Sequence, residues 1–191
     1  MIIIDPGHGY NTPGKISPVM HDGSQLSEWK YTRLIARGLH KMLTMIGIPS
    51  IILVTEAIDV SLPIRCERAN RIYDENPGAF LISIHGNAGG GTGWEAYTYI
   101  GESDSDKIAT YLYHAAEKCL PQFRIRTDYV DGDPDKEAKF YILKNTKCPA
   151  VLTENLFYDT EKDYIFMKSE SGIETLVRLH VMGIIQYLIH K

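Results

Sequence analysis

The sequence predicts an α/β fold in which a largely parallel or mixed sheet is covered by helices on both faces. Three observations carry this. Short apolar, β-branched runs alternate with segments of helical periodicity along all 191 residues, the pattern of βαβ units. Several of those runs are apolar at successive positions, as in strands buried on both sides. No low-complexity linker, internal repeat or sharp composition break divides the chain, so residues 1–191 are expected to form one domain.

Ile2 to Asp5 reads as the first buried strand. After a loop rich in Gly, Pro and Asn, Ser27 can cap a helix that runs to about Ile46. Its expected stripe is Ile35, Leu39, Met42 and Ile46, and Gly47 closes it in the C′ position. Ser50 to Val54 predicts a second strand. Leu62 to Tyr73, capped by Ser61, predicts a second helix. Ala79 to His85 is again a buried strand, and Gly86 to Gly93 leads into a further one from Trp94 to Tyr99. Ser103 to Cys119 places Ile108, Leu112, Ala115 and Cys119 on one helical face. An Asp-rich passage from Asp128 to Glu137 then separates two short strands. Ala150 to Thr153 is the last expected strand, ending at Glu154. Ile173, Val177, Val181, Ile184 and Leu188 form the stripe of a final helix.

Composition narrows the function. A formal charge of -4 argues against holding nucleic acid by a general basic field. Cys66, Cys119 and Cys148 are odd in number and lack C-x-x-C spacing, which speaks against a disulfide framework and against zinc held by thiolates. No stretch is read as long and apolar enough to insert into a membrane. The start, Met-Ile-Ile-Ile-Asp, lacks a basic segment and a cleavage site, so the expectation is synthesis in the cytoplasm without a signal peptide, or a catalytic piece cut from a longer exported chain.

The chemistry gathers at strand ends. In open α/β sheets, ligands and catalytic groups collect outside the carboxyl ends of the strands. His8, His85 and Glu154 each follow a buried strand there, and both histidines are followed at once by glycine. Two neutral imidazoles at one rim begin a metal site, and a catalytic zinc takes a third ligand from His or carboxylate while leaving a fourth position open. Glu28, in the first turn of the long helix, is the chosen third ligand, with His21 and Asp22 as rivals in the loop before it. By itself Glu28 is more readily explained by the favourable field of a helix N-terminus than by metal ligation. Glu154 has no obvious basic neighbour, so desolvation should raise its pKa and suit it to proton transfer. The alternative is a strand-end carboxylate paired with Lys144 or Lys147. His40, His114, His180 and His190 fall in helices, and His180 is expected to flank the core. Trp94, Tyr97 and Tyr99 can be a sugar or peptide platform, though alternate aromatics usually serve sheet packing.

With those residues in view, the chain resembles the zinc-dependent N-acetylmuramoyl-L-alanine amidases of the type-3 amidase family, cell-wall hydrolases found in bacterial autolysins and phage endolysins. The matching pieces are Ile4-Asp5-Pro6-Gly7-His8-Gly9, Glu28 opening a helix, Arg68-Ala69-Asn70, Ser83-Ile84-His85-Gly86-Asn87-Ala88, Gly93-Trp94-Glu95-Ala96-Tyr97 and Pro149-Ala150-Val151-Leu152-Thr153-Glu154. They run in order over nearly the whole chain. The resemblance implies a twisted, mostly parallel six-stranded sheet, one zinc ion on His8, Glu28 and His85, and Glu154 as the catalytic carboxylate. It implies peptidoglycan as substrate, cut between the lactyl group of N-acetylmuramic acid and the L-alanine of the stem peptide. The chain departs from the pattern in a longer spacer from His8 to Glu28, in Thr32 where Asn is usual, and in Arg124-Ile125-Arg126, which lacks a glycine after the first arginine. Rival readings are a zinc peptidase or deacetylase acting on another wall amide, and a wall-binding module without catalysis. A monomer is expected, with no nucleic-acid partner.

Overall fold

The computed structural model describes residues 1–191. In chain order the elements are β1 (Ile2–Pro6), α1 (Glu28–Met45), β2 (Ser50–Ile52), α2 (Leu62–Glu75), β3 (Phe80–Asn87), β4 (Trp94–Thr98), α3 (Asp104–Cys119), β5 (Lys136–Glu137), α4 (Tyr141–Asn145), β6 (Ala150–Phe157), α5 (Glu161–Lys168) and α6 (Glu170–His190). The six strands form one sheet in the order β2-β1-β3-β6-β4-β5. The first four of these run parallel, β4 is antiparallel to β6, and β5 is parallel to β4. The mixed α/β sheet expected from the sequence is the one observed.

Successive strand side chains point to opposite faces, and β1 shows this directly. Ile2 and Ile4 enter the larger core, against α1, α3, α5 and α6, whereas Ile3 enters the smaller one, against α2 and α4. Two short helices, α4 and α5, were not anticipated. Each spans too few residues for a helical period to stand out from a polar loop.

The α3 stripe of Ile108, Leu112, Ala115 and Cys119 is buried as expected, whereas two other stripes differ in part. In α1 the buried face is Tyr31, Ile35, Ala36, Leu39 and Leu43, while Met42 and Ile46 are exposed. In α6 the expected Val177, Val181 and Ile184 are buried, but Leu188 is exposed, and Leu176, Leu179, His180, Gly183 and Tyr187 complete the buried face. Ser27 and Ser61 stand at the N-cap positions, but neither side chain makes a capping bond. Gly47 follows the end of α1 with φ of 76°, the left-handed C′ conformation. The Asp-rich passage contains only β5 as a strand, with an isolated bridge from Ile125 to Trp94 before it. The expectation of no sufficiently apolar stretch needs correction: α6 is long and apolar enough to cross a bilayer, with a mean hydropathy of 1.2 over 18 residues. Half of that window is buried in the protein, because α6 is the central helix of the larger core.

His180 is fully buried rather than flanking. Its Nδ1 donates to the Leu176 carbonyl at 2.8 Å, and its Nε2 lies 3.0 Å from the Thr153 hydroxyl. Burial pushes its pKa down to about 4, against about 6.5 in an unfolded chain. The unfolded state therefore binds the extra proton first as pH falls. Stability contributed by neutral His180 is complete above pH 6.5 and is lost between pH 6.5 and 4, by roughly 3 kcal/mol at the acid end. Urea unfolding of the wild type and His180→Gln at pH 7.5 and 4.5 should show a smaller acid loss in the variant. Equal losses would refute the assignment.

Candidate metal centre

β1 ends in Pro6, which cannot extend a ladder as donor, and Gly7 then donates to the Ile84 carbonyl at 2.9 Å. His8 follows with φ of 62°, a left-handed backbone that costs a non-glycine residue energy and needs surrounding structure to hold it. Two arginines and a threonine do so. Arg33 donates to the His8 carbonyl at 2.9 Å and Arg65 to the same oxygen at 3.2 Å. Thr32 donates to the Gly7 carbonyl at 3.0 Å, which gives a role to the residue that departs from the family pattern. Gly7 itself is required by proximity: a Cβ there would lie 2.3 Å from the His85 ring.

Arg65 is anchored in turn by Asp5. The pair is buried, with Nη1 2.6 Å from Asp5 Oδ1, while Ser83 donates to Asp5 Oδ2 at 2.8 Å. Arg65→Met leaves the Asp5 carboxylate buried with one hydroxyl, and should cost about 3–5 kcal/mol. Urea unfolding measures this; a loss below about 1 kcal/mol, the scale of an exposed pair, would show that the site does not depend on it.

His85 and Glu154 are directly opposite each other on β3 and β6. The strands do not end there, as expected, but continue to Asn87 and Phe157 through a break in register after His85, with Leu156 at φ of 69°. Such an irregularity re-aims side chains without ending the sheet. Asn155 locks it: its amide donates to the His85 carbonyl at 3.0 Å and its oxygen accepts from Trp94 Nε1 at 2.9 Å. Trp94 is thus wholly buried packing, not a platform.

Glu28 is the first residue of α1 and has no solvent exposure. Its Oε1 lies 3.2 Å from both His8 Nε2 and His85 Nδ1, and it also accepts from the Gly86 amide at 3.2 Å. The three side chains form a group whose ligand-type atoms lie within 4.8 Å of one another. His21 and Asp22 are not in it. The long spacer doubles back on itself, with Ile16 bridged to Ser27 and the Ser17 amide bonded to the Leu26 carbonyl at 2.8 Å. His21 and Asp22 are exposed near the tip of that excursion, where Asp22 pairs with Lys168, and Glu28 is returned to its root.

The electrostatics separate the carboxylates. Burial opposes the charge on Glu28, but bonds from His8 and His85 outweigh it and hold the carboxyl below the usual range. Burial also lowers His8 despite Glu28 beside it, favouring the neutral imidazole a metal needs. Glu154 is pushed up to about 7, chiefly by burial. Its Oε2 accepts no hydrogen bond, and Lys147 pairs with Asp74 instead. Glu95, opposite Glu154 on β4, is held below its ordinary value: burial opposes its charge, but Lys136 and Arg126 overcome that. Neighbouring carboxyls with divergent proton affinities are a recurrent feature of acid–base sites.

His8, His85 and Glu154 line one pocket of about 410 Å³, together with Lys15, Thr12 and an apolar end made by Val60, Leu62 and Phe140. Lys15 Nζ lies 3.3 Å from Glu28 Oε2, a buried atom that accepts no hydrogen bond. Asp5, Lys15, Arg33, Arg65 and Asn155 were not singled out from the sequence. An arginine on a helix gives no sign of whether it is buried, and only Asp5 stood inside a motif already quoted.

The model of the Amidase_3 family, described as N-acetylmuramoyl-L-alanine amidase, matches residues 2–186. A sporulation-specific N-acetylmuramoyl-L-alanine amidase of Bacillus subtilis (strain 168) is 36% identical over 188 residues, covering 97% of this chain and 67% of that protein. An endolysin of Bacillus phage SPP1 is 28% identical over 193 residues, covering 98% of this chain and 66% of the other. The chain thus spans about two thirds of the length of these relatives. The crystal structure of an N-acetylmuramoyl-L-alanine amidase from Clostridium difficile 630 superposes with a TM-score of 0.83 at 26% identity, covering 100% of this chain and 97% of that one. Sequence, fold and the match along nearly the entire chain agree: this protein is an enzyme of the N-acetylmuramoyl-L-alanine amidase family.

Proposed function

We propose that the chain hydrolyses bacterial peptidoglycan at the amide between the lactyl group of N-acetylmuramic acid and the L-alanine of the stem peptide, using one zinc ion held by His8, Glu28 and His85. The observation that carries this reading is the convergence of those three side chains, with Glu28 buried behind His8 and His85, which line the pocket that Glu154 also lines. The donor set fits the metal. Two imidazole nitrogens and a carboxylate oxygen are a catalytic zinc set with one position left for chemistry, and Glu28 Oε2 is a buried oxygen without a hydrogen bond. Bound there, zinc would supply a Lewis acid for the scissile carbonyl and make water acidic enough to attack near neutral pH.

The chain's own residues do the rest. Glu154, with its pKa held at about 7, takes a proton from the attacking water and returns it to the departing alanine nitrogen. Its paired strand keeps it opposite His85. Arg33 and Arg65 fix the His8 backbone so that the imidazole need not be reoriented in each cycle.

The test is digestion of purified sacculi by the zinc-loaded protein. Free L-alanine amino groups without new reducing sugars, lost with a chelator and restored by zinc, are the expected result. New amino groups elsewhere in the stem, or released acetate, would replace this reading with a peptidase or deacetylase.

A further inference from the structure

A second group of ligand-type oxygens lies away from the pocket. Asp106 in the first turn of α3, together with Asp133 and Asp135 just before β5, places three carboxylates within 4.8 Å of one another. Asp135 is only 2% exposed, and its Oδ1 is buried with no hydrogen-bond partner. Its other oxygen accepts from the Thr98 hydroxyl at 2.7 Å. No lysine, arginine or histidine pairs with any of the three, since the nearby Lys107 is taken by Asp104 and Lys136 by Glu95. Buried carboxylates are normally paired or bound to metal, whereas these three accept only from the Thr98 hydroxyl and the Ser103 and Asp135 amides, with no cationic side chain paired to them.

We propose that Asp106, Asp133 and Asp135 form a calcium site that fastens the Asp-rich loop to the N-terminus of α3. All side-chain donors are oxygens, which selects a hard cation. The open pocket beside them is lined by no hydrophobic residue and includes Glu102, Ser103, Asp131 and Asp133, so further oxygens and water are at hand. Calcium accepts six to eight oxygens in flexible geometry, whereas magnesium demands a near-ideal octahedron and sheds water reluctantly. Gly132, at φ of 110°, gives the turn between Asp131 and Asp133 a left-handed backbone that favours glycine. The site is joined to the catalytic sheet in sequence: Lys136 follows Asp135 and reaches Glu95, opposite Glu154.

The experiment titrates calcium, and magnesium in parallel, into the zinc-loaded full chain by calorimetry and thermal denaturation. One calcium per chain is expected, half-saturating at roughly 0.1–1 mM, the range of sites outside the cytosol. At a tenfold excess over that value, Tm should rise by about 3–6 °C, with a smaller effect of magnesium. Asp133→Asn and Asp135→Asn should each abolish the shift, and Asp135→Asn should raise Tm without calcium by relieving repulsion. If Asp135→Asn fails to fold, the half-buried Asp133→Asn decides alone. No saturable binding up to about 10 mM, an order above the weakest such sites, or a shift of unchanged size in the folded Asn variants, would overturn the proposal.

Discussion

Glu154→Gln is expected to lower kcat by roughly 10²–10⁴-fold, the usual contribution of a positioned acid–base group, while zinc content, KM and Tm stay near their wild-type values. The side chain has almost no structural partner to lose. Its Oε2 accepts no hydrogen bond, and no salt bridge holds the carboxylate. What it has is burial, which raises its proton affinity to about 7, and a position across from His85. Glutamine keeps that shape and removes only the exchangeable proton site, so a loss confined to kcat identifies proton transfer. Full turnover with zinc bound would mean another group acts as the base, and Glu95 would be a poor replacement, because Lys136 and Arg126 lower its proton affinity.

Glu28→Gln is expected to affect binding instead. The variant should lose zinc affinity well beyond the roughly 10–100-fold that follows loss of a supporting group, and turnover should fall to background at ordinary zinc concentrations. Glu28 Oε1 is the point at which His8, His85 and the Gly86 amide meet. Removing its charge takes away both a ligand and the partner that orients two more. Zinc content after dialysis against a buffer of fixed free zinc measures the effect. A variant that retains one zinc per chain would show that two histidines suffice, or that a donor other than Glu28 completes the site. His21 and Asp22 are poorly placed for that, facing a separate pocket beside α5.

The two histidines were legible because each lies in, or two residues beyond, a strand identifiable from its apolar run, and parallel strands bring their carboxyl ends to one edge. Ile2–Pro6 and Phe80–Asn87 are paired in register, Ile2 with Phe80 through Pro6 with Ile84, so residues two and one positions further on are neighbours whatever the loops do. Glu154 follows from the same logic one strand away. Helix rotation was less legible. The exposure of Met42 and Ile46 in α1 depends on which part of an apolar arc meets the sheet, and a broad arc in sequence leaves that angle free by tens of degrees.

The α/β class, the largely parallel or mixed sheet and the rim where chemistry gathers therefore belong to the sequence itself, written in local patterns of side-chain size and polarity, whereas the order of the strands appeared only in the fold. Glu28 was preferred to His21 and Asp22 from the sequence, but its meeting with the two histidines could not be derived there. It depends on a hairpin-like return of the spacer, through Ile16 against Ser27 and Ser17 against Leu26, that no periodicity announces. The clamp of Arg33 and Arg65 on the His8 carbonyl, and the meeting of Asp106 with Asp133 and Asp135, were likewise decided only in three dimensions. Such contacts join residues far apart in the chain, and their energy comes from burying charge beside its partner, which a linear pattern cannot encode.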